Sequence, residues 1–261
     1  GLPELRASIA AYYDRLGVSV PAQRIVVTTG ASAGLTLLNG LLLNPGDEVL
    51  VTDPGYPCNE VFAALVNAQA VRVPVGVEAR FQVTGAHLAS RWGDTTRGVL
   101  LASPANPTGV VQQREHLSDA FGLVRQRGGF SILDEIYQGL VYDEAPEYRT
   151  GLEIDKDIFV LNSFSKYFGM TGWRLGWMVV PESAVEPIAR LAQNLFISPP
   201  SIAQQAAIEA FSPQSMAVHE FRREQFAQRR DLLAAGLQSL GFQVPLMPQG
   251  AFYLYVDVSS T

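Results

Sequence analysis

Residues 162–177 read Asn162-Ser163-Phe164-Ser165-Lys166-Tyr167-Phe168-Gly169-Met170-Thr171-Gly172-Trp173-Arg174-Leu175-Gly176-Trp177. Lys166 follows an apolar run and is flanked by aromatic residues. Such surroundings take water away from an ammonium and lower its pKa, as a lysine that reacts as a free amine requires. Ser163, Ser165 and Arg174 add two hydroxyls and a guanidinium, a donor set suited to phosphate. Lysine is scarce: of 19 basic residues, only Lys156 and Lys166 are lysine. Lys156 lies in Glu153-Ile154-Asp155-Lys156-Asp157, an acidic loop in which a solvated ion pair is the ordinary outcome. Of the two amines, only Lys166 has a reactive setting.

Around this stretch, short β-branched runs alternate with longer helical patterns. Strands are expected at 25–29, 48–52, 70–73, 98–102, 130–133 and 158–161, and helices at about 33–43, 59–67 and 114–127. That alternation predicts an α/β fold with a mixed, mainly parallel sheet covered on both faces. From Pro181 onward the pattern turns helical, at 182–194, 202–211 and 216–240. In the last of these, Phe221, Leu232, Leu233, Leu237 and Leu240 form an apolar stripe, with Arg222, Arg223, Arg229 and Arg230 assigned to solvent. Residues 250–256 read as the first strand of a second domain. The expected division is a large domain over 1–212 and the start of a small α+β domain over 213–261.

A net charge of −6 argues against a nucleic-acid binder. No apolar run reaches the roughly 18 residues of a membrane span; the longest, 34–43, is interrupted by Thr36, Asn39 and Gly40. Cys58 stands alone, so neither a disulfide framework nor a paired-cysteine metal site is available within the chain. The charged fraction of 17% is below the roughly 25% of typical soluble domains, which fits surface lost to a partner subunit. With no charged-then-apolar leader at its start, the chain reads as a soluble cytoplasmic protein.

Gly30-Ala31-Ser32-Ala33-Gly34 has two readings. It matches the Gly-x-Ser-x-Gly turn of serine hydrolases and lies between a strand and a helix, as that motif requires. A hydrolase using Ser32 also needs sheet and an oxyanion loop before the turn, and a histidine in a later loop. His87, His116 and His219 all fall in or just before helical patterns. Alternatively, small residues at a helix start let backbone N–H groups approach an anion, with the helix dipole favouring its charge.

The 162–177 stretch resembles the pyridoxal-phosphate lysine signature of the class I and II aminotransferases, the fold-type I family that includes aspartate aminotransferase. The likeness extends along nearly the whole chain, in family order: Gly1-Leu2-Pro3-Glu4-Leu5-Arg6, Thr29-Gly30-Ala31-Ser32, Pro45-Gly46-Asp47-Glu48-Val49, Asp53-Pro54-Gly55-Tyr56-Pro57, Ser103-Pro104-Ala105-Asn106-Pro107-Thr108-Gly109, Asp134-Glu135-Ile136-Tyr137 and Pro248-Gln249-Gly250-Ala251-Phe252-Tyr253.

The resemblance implies pyridoxal 5'-phosphate as cofactor, carried as an imine on Lys166, which then serves as general base. It implies transfer of an amino group between an amino acid and a 2-oxo acid. Asp134, ending the 130–133 run, would keep the cofactor's ring nitrogen protonated. Tyr137 and Asn106 would donate to its ring oxygen, and Tyr56 would stack on the ring. Ala31 and Ser32 through their backbone, with Ser163, Ser165 and Arg174, would hold the phosphate. Glu135 is left as structural, and no metal is expected.

The family also implies a homodimer, with an active site completed by a partner tyrosine that precedes the first block. It places a substrate-carboxylate arginine beyond Thr261, so the chain is expected to be a fragment. Three rivals stand beside amino transfer. A related fold-type I enzyme, such as a carbon–sulfur lyase or an aminocyclopropane-carboxylate synthase, would use the same cofactor residues. The other two are the Ser32 hydrolase and a non-catalytic binding module.

Overall fold

A computed structural model of the chain describes residues 1–142 and 148–259. Seven strands form one sheet: β1 (Ile25–Thr28), β2 (Glu48–Asp53), β3 (Gln69–Pro74), β4 (Thr96–Ala102), β5 (Phe130–Asp134), β6 (Phe159–Ser163) and β7 (Gly176–Val179). Their spatial order is β1-β7-β6-β5-β4-β2-β3. The neighbours from β3 through β2, β4 and β5 to β6 pair in parallel, whereas β7 is antiparallel to both β6 and β1. Six strands therefore point the same way. Their carboxyl ends, together with the amino end of β7, meet at one edge of the sheet, where ligands gather in α/β folds.

The helices are α1 (Pro3–Arg15), α2 (Ala31–Leu42), α3 (Cys58–Ala64), α4 (Gly85–Ala89), α5 (Arg114–Gln126), α6 (Val185–Leu195), α7 (Ser201–Glu209) and α8 (Pro213–Ser239). Alternate strand residues feed two separate cores. Val99, Leu101, Leu133, Val160, Trp177 and Val179 pack with α1, α5 and α7 on one face. Leu100, Ile132, Leu161 and Met178 pack with α2, α3 and α6 on the other. The period-two alternation and burial on both sides explain why these strands read as continuous apolar runs. Each fully buried Val, Leu or Ile contributes roughly 1.5–3 kcal/mol. Trp177, with 0% exposure, is the largest side chain in this class; its indole N–H donates to the Tyr13 hydroxyl at 3.1 Å.

The expected strands and central helices are present with ends moved by a few residues. Three elements went unread, the short α4 among them. In α1, Leu5, Ile9, Tyr12 and Tyr13 are buried at helical spacing and Pro3 opens the first turn. In β7, Gly176 and Trp177 end the lysine stretch and, with Met178 and Val179, form a strand between β1 and β6.

Two expectations are overturned. Residues 250–256 form no strand: Gly250 makes one isolated bridge with Val141, and the next bridge, Gln243 with Asp257, lies past them. Ala251 has φ +59° and is fully buried, and its carbonyl accepts from the Tyr142 hydroxyl. This left-handed residue turns the chain and sends the next two aromatics toward the sheet edge. Along the expected 216–240 helix, Phe221, Leu232, Leu233 and Leu240 are exposed, while His219 and Ala234 are buried. Two of the arginines assigned to solvent face inward instead. Arg223 donates to Glu220 and to the Val141 carbonyl. Arg230 stacks its guanidinium 4.8 Å from the Tyr142 ring centroid and donates to the Pro248 carbonyl.

Candidate active site

A cavity of about 350 Å³ opens at the carboxyl edge of the sheet. All ten residues singled out from the sequence line it: Ala31, Ser32, Tyr56, Asn106, Asp134, Tyr137, Ser163, Ser165, Lys166 and Arg174. They arrive from separate strand ends. Tyr56 follows β2, Asn106 follows β4, Asp134 ends β5, Ser163 ends β6, and Arg174 precedes β7.

Lys166 is half-buried, and the loss of water holds its pKa below the ordinary lysine value. The Arg174 charge adds to that lowering, while the Asp134 carboxylate opposes it. The aromatics responsible are not the flanking pair. Tyr167 and Phe168 are buried in the core, where Phe168 packs against Tyr12, Trp177, Phe211 and His219. The rings beside the Lys166 amine are Tyr137, at 5.4 Å, and Phe252, at 5.3 Å. Contacts between residues so far apart in the chain leave no local trace in the sequence.

Asp134 accepts from the Ile136 backbone N–H at 3.0 Å. Desolvation pushes its carboxyl up to about 6, against that hydrogen bond and the Lys166 charge. Tyr137 is almost fully buried, and burial above all holds its phenol above its ordinary pKa. Its hydroxyl oxygen lies 2.6 Å from that of Tyr253. Tyr56 is partly exposed; a hydrogen bond with the Cys58 side chain, together with partial burial, pushes its phenol up to about 12.

A concave group of donors closes one end of the cavity. Gly30, at φ +87°, is the N-cap of α2 and supplies no side-chain cap, so the N–H groups of the first turn remain open to an anion. A β-carbon at Gly30 would lie 2.9 Å from the Arg174 guanidinium, so only glycine lets the two approach. Arg174, itself left-handed at φ +51°, donates to the Ser165 hydroxyl at 3.3 Å and the Thr171 carbonyl at 2.9 Å. The Ser163 hydroxyl accepts from the Ser165 N–H at 3.0 Å. Strain of this kind persists where surrounding contacts over-determine it, commonly at ligand sites.

The hydrolase arrangement does not form. Ser32 lines the cavity, but no histidine does. His87 engages Thr84, His116 lies by Gln82, and His219 contacts the Ala210 carbonyl. Tyr253 and Phe252 were not assigned roles from the sequence, although both lie in the 248–253 block that carried part of the resemblance. No group of three or more metal-ligating side chains occurs among the described residues.

Comparison with known proteins agrees with this geometry. The family model for aminotransferase class I and II matches residues 1–261. Valine–pyruvate aminotransferase of Mycobacterium tuberculosis is 40% identical over 260 residues, which are 99% of this chain and 67% of that protein. Aspartate aminotransferase of Pyrococcus horikoshii is 30% identical over 264 residues, covering all of this chain and 67% of its own length. A crystal structure of an aminotransferase from Mycobacterium tuberculosis superposes with a TM-score of 0.95 at 40% identity, across 99% of this chain and 67% of that one. The chain thus spans about two thirds of the length of these relatives.

Proposed function

This chain belongs to the class I and II aminotransferases, pyridoxal-phosphate enzymes that move an amino group between an amino acid and a 2-oxo acid, and on that premise we propose roles for its own residues. The observation that carries the proposal is a desolvated, pKa-lowered Lys166 facing Asp134 and Arg174 in one cavity. The cavity suits the cofactor on its own chemistry: the Gly30–Arg174 cradle fits a phosphate, and the Asp134 carboxylate fits a protonated ring nitrogen.

Pyridoxal phosphate, when bound, supplies an electron sink for the substrate's α-carbon. Arg174, the Ser163 and Ser165 hydroxyls and the N–H groups at Ala31 and Ser32 bind the phosphate and fix its orientation. Asp134 holds the proton on the ring nitrogen. Tyr137 and Asn106 donate to the ring oxygen, and Tyr56 covers one face of the ring. Lys166 is the covalent tether. Its amine would act as general base on the α-carbon proton, a task that requires it uncharged near neutral pH.

The proposal extends to organisation: a large domain over 1–212, the start of a small domain over 213–261, a homodimer and a cytoplasmic setting. The division is supported by Ser212, whose side chain caps α8 after the last sheet-covering helix. Support for self-association comes from Leu195, Phe196, Ile197 and Ile202, exposed large apolar residues where α6 passes into α7. The free Cys58 suits a reducing compartment, and no helix among the described residues is long and apolar enough to cross a membrane.

Borohydride reduction of the full-length protein loaded with pyridoxal phosphate tests the central assignment. The expected result is one pyridoxyl-labelled peptide, carrying the label on Lys166. Label on Lys156, or none, would overturn it.

A further inference from the structure

The Tyr137 hydroxyl is not alone at the cavity edge. Its oxygen lies 2.6 Å from that of Tyr253, a residue 116 positions later in the chain that also lines the cavity. The Tyr253 backbone is set by a tightly built turn. Gly109 and Gly250 leave no room for a β-carbon: one at Gly109 would fall 2.8 Å from the Gly250 carbonyl, and one at Gly250 would fall 2.6 Å from Pro104. The Gly250 N–H donates to the Gly109 carbonyl at 2.9 Å, and the Ala251 N–H donates to that of Leu140, also at 2.9 Å. The rings of Tyr137 and Tyr253 meet edge to face at 5.6 Å. The pair is therefore held from both sides.

A phenol has one proton to donate and can accept at the same time. If Tyr137 gives its proton to an acceptor in the cavity, the bond to Tyr253 survives only with Tyr253 as the donor. We propose that Tyr253 is a positioning residue for the cofactor site, donating to Tyr137 so that Tyr137 donates to the cofactor's ring oxygen. This rests on the role given above to Tyr137. A hydroxyl that accepts one hydrogen bond becomes a stronger donor in the next, because the chain polarises along its length. Tyr253 thereby increases the stabilisation that Tyr137 gives to negative charge on the ring oxygen. The other ionisable groups acting on Tyr137 are Lys166, Asp134 and Tyr56. All three are unchanged in the experiment below.

The test is a spectrophotometric pH titration of the full-length protein loaded with pyridoxal phosphate. Tyr253→Phe should move the midpoint of the visible band upward by about half a unit, since a weaker Tyr137 donor disfavours the charged ring oxygen. Tyr253→Leu is carried alongside and read in the same way, so the outcome does not depend on one variant folding. Tyr137→Phe should shift the midpoint further in the same direction. In that background, a second change at Tyr253 should add less than about 0.1 unit, because the relay is already cut. A wild-type midpoint in both Tyr253 variants would overturn the inference, as would an equal shift with and without Tyr137. No shift in Tyr137→Phe alone would overturn the Tyr137 assignment first, and the relay with it.

Discussion

Asp134 ends β5 and Glu135 follows it, and the two side chains point to opposite sides of the sheet edge. Asp134 lines the cavity. Glu135 is 1% exposed in the core, where it accepts from the Thr150 hydroxyl at 2.9 Å and the Gly151 N–H at 2.6 Å. Desolvation raises both carboxyls, Asp134 to about 6 and Glu135 to about 8. Because each folded-state pKa exceeds its unfolded value, folding favours the protonated acid. The resulting stability is complete below about pH 4 and is lost as pH rises through the folded values. Denaturant titrations of the cofactor-free protein should therefore show stability falling most steeply between about pH 4 and 6, less steeply between 6 and 8, and levelling above that. Glu135→Gln should abolish the decline above about pH 6, the whole Glu135 contribution being on the order of a few kcal/mol, and Asp134→Asn should halve the slope below it. A profile unchanged by Glu135→Gln would show that the carboxylate is fully compensated by Thr150 and Gly151.

Gly30→Ala should damage phosphate binding selectively. The added methyl would sit 2.9 Å from the Arg174 guanidinium, at a backbone φ of +87° and ψ of 165°, a conformation open almost only to glycine that costs an L-residue roughly 1–3 kcal/mol. Displacing Arg174 removes a charge-assisted contact worth about 1.5–3 kcal/mol. Affinity for pyridoxal phosphate is expected to fall by about tenfold to a hundredfold. Affinity for pyridoxal, which lacks the phosphate, should change little. Equal losses for the two ligands, measured by absorbance titration, would mean that the cradle does not hold the phosphate.

Tyr167→Phe separates the lysine from its neighbour. The Tyr167 hydroxyl donates to Glu220, which also pairs with Arg223 at 2.8 Å, joining the lysine loop to α8. Losing one donor should cost about 1 kcal/mol of stability. Lys166 should keep its lowered pKa, since its neighbouring rings are Tyr137 and Phe252. The pH dependence of amine labelling in the cofactor-free protein reads this directly; an upward shift would return Tyr167 to the shield around Lys166.

What was legible in the sequence was what local chemistry writes there. The strand ends carrying Asp134, Ser163 and Lys166 announce themselves through an apolar run followed by polar side chains. The Gly30–Ser32 turn shows its small residues. The residues that escaped notice depend on contacts across the chain. Tyr253 matters only because Ala251 turns the backbone toward Tyr137. The strand expected at 250–256 failed for the same reason, since β-rich composition does not form a ladder without a partner edge. The α8 leucines had helical spacing but no partner among the described residues, whereas Arg230 found a buried ring. Periodicity marks which face is apolar, and only the fold determines whether that face is covered.

Gly109→Ala tests whether the 248–253 segment is a working part of the site. The new β-carbon would fall 2.4 Å from the Pro248 side chain and 2.8 Å from the Gly250 carbonyl, at a φ of +67°. Neither neighbour has room to give. Pro248 is a ring, its carbonyl holds Arg230, and Gly250 is pressed against Pro104. The segment must therefore move as a unit, taking Phe252 and Tyr253 away from Lys166 and Tyr137. The strain and lost packing should cost roughly 1–3 kcal/mol, read as a lower denaturation midpoint. The spectroscopic consequence is more specific: in the loaded full-length protein the visible band should titrate at higher pH, as in Tyr253→Phe. A variant that loses stability with an unmoved titration midpoint would show that the segment supports the fold without tuning the site.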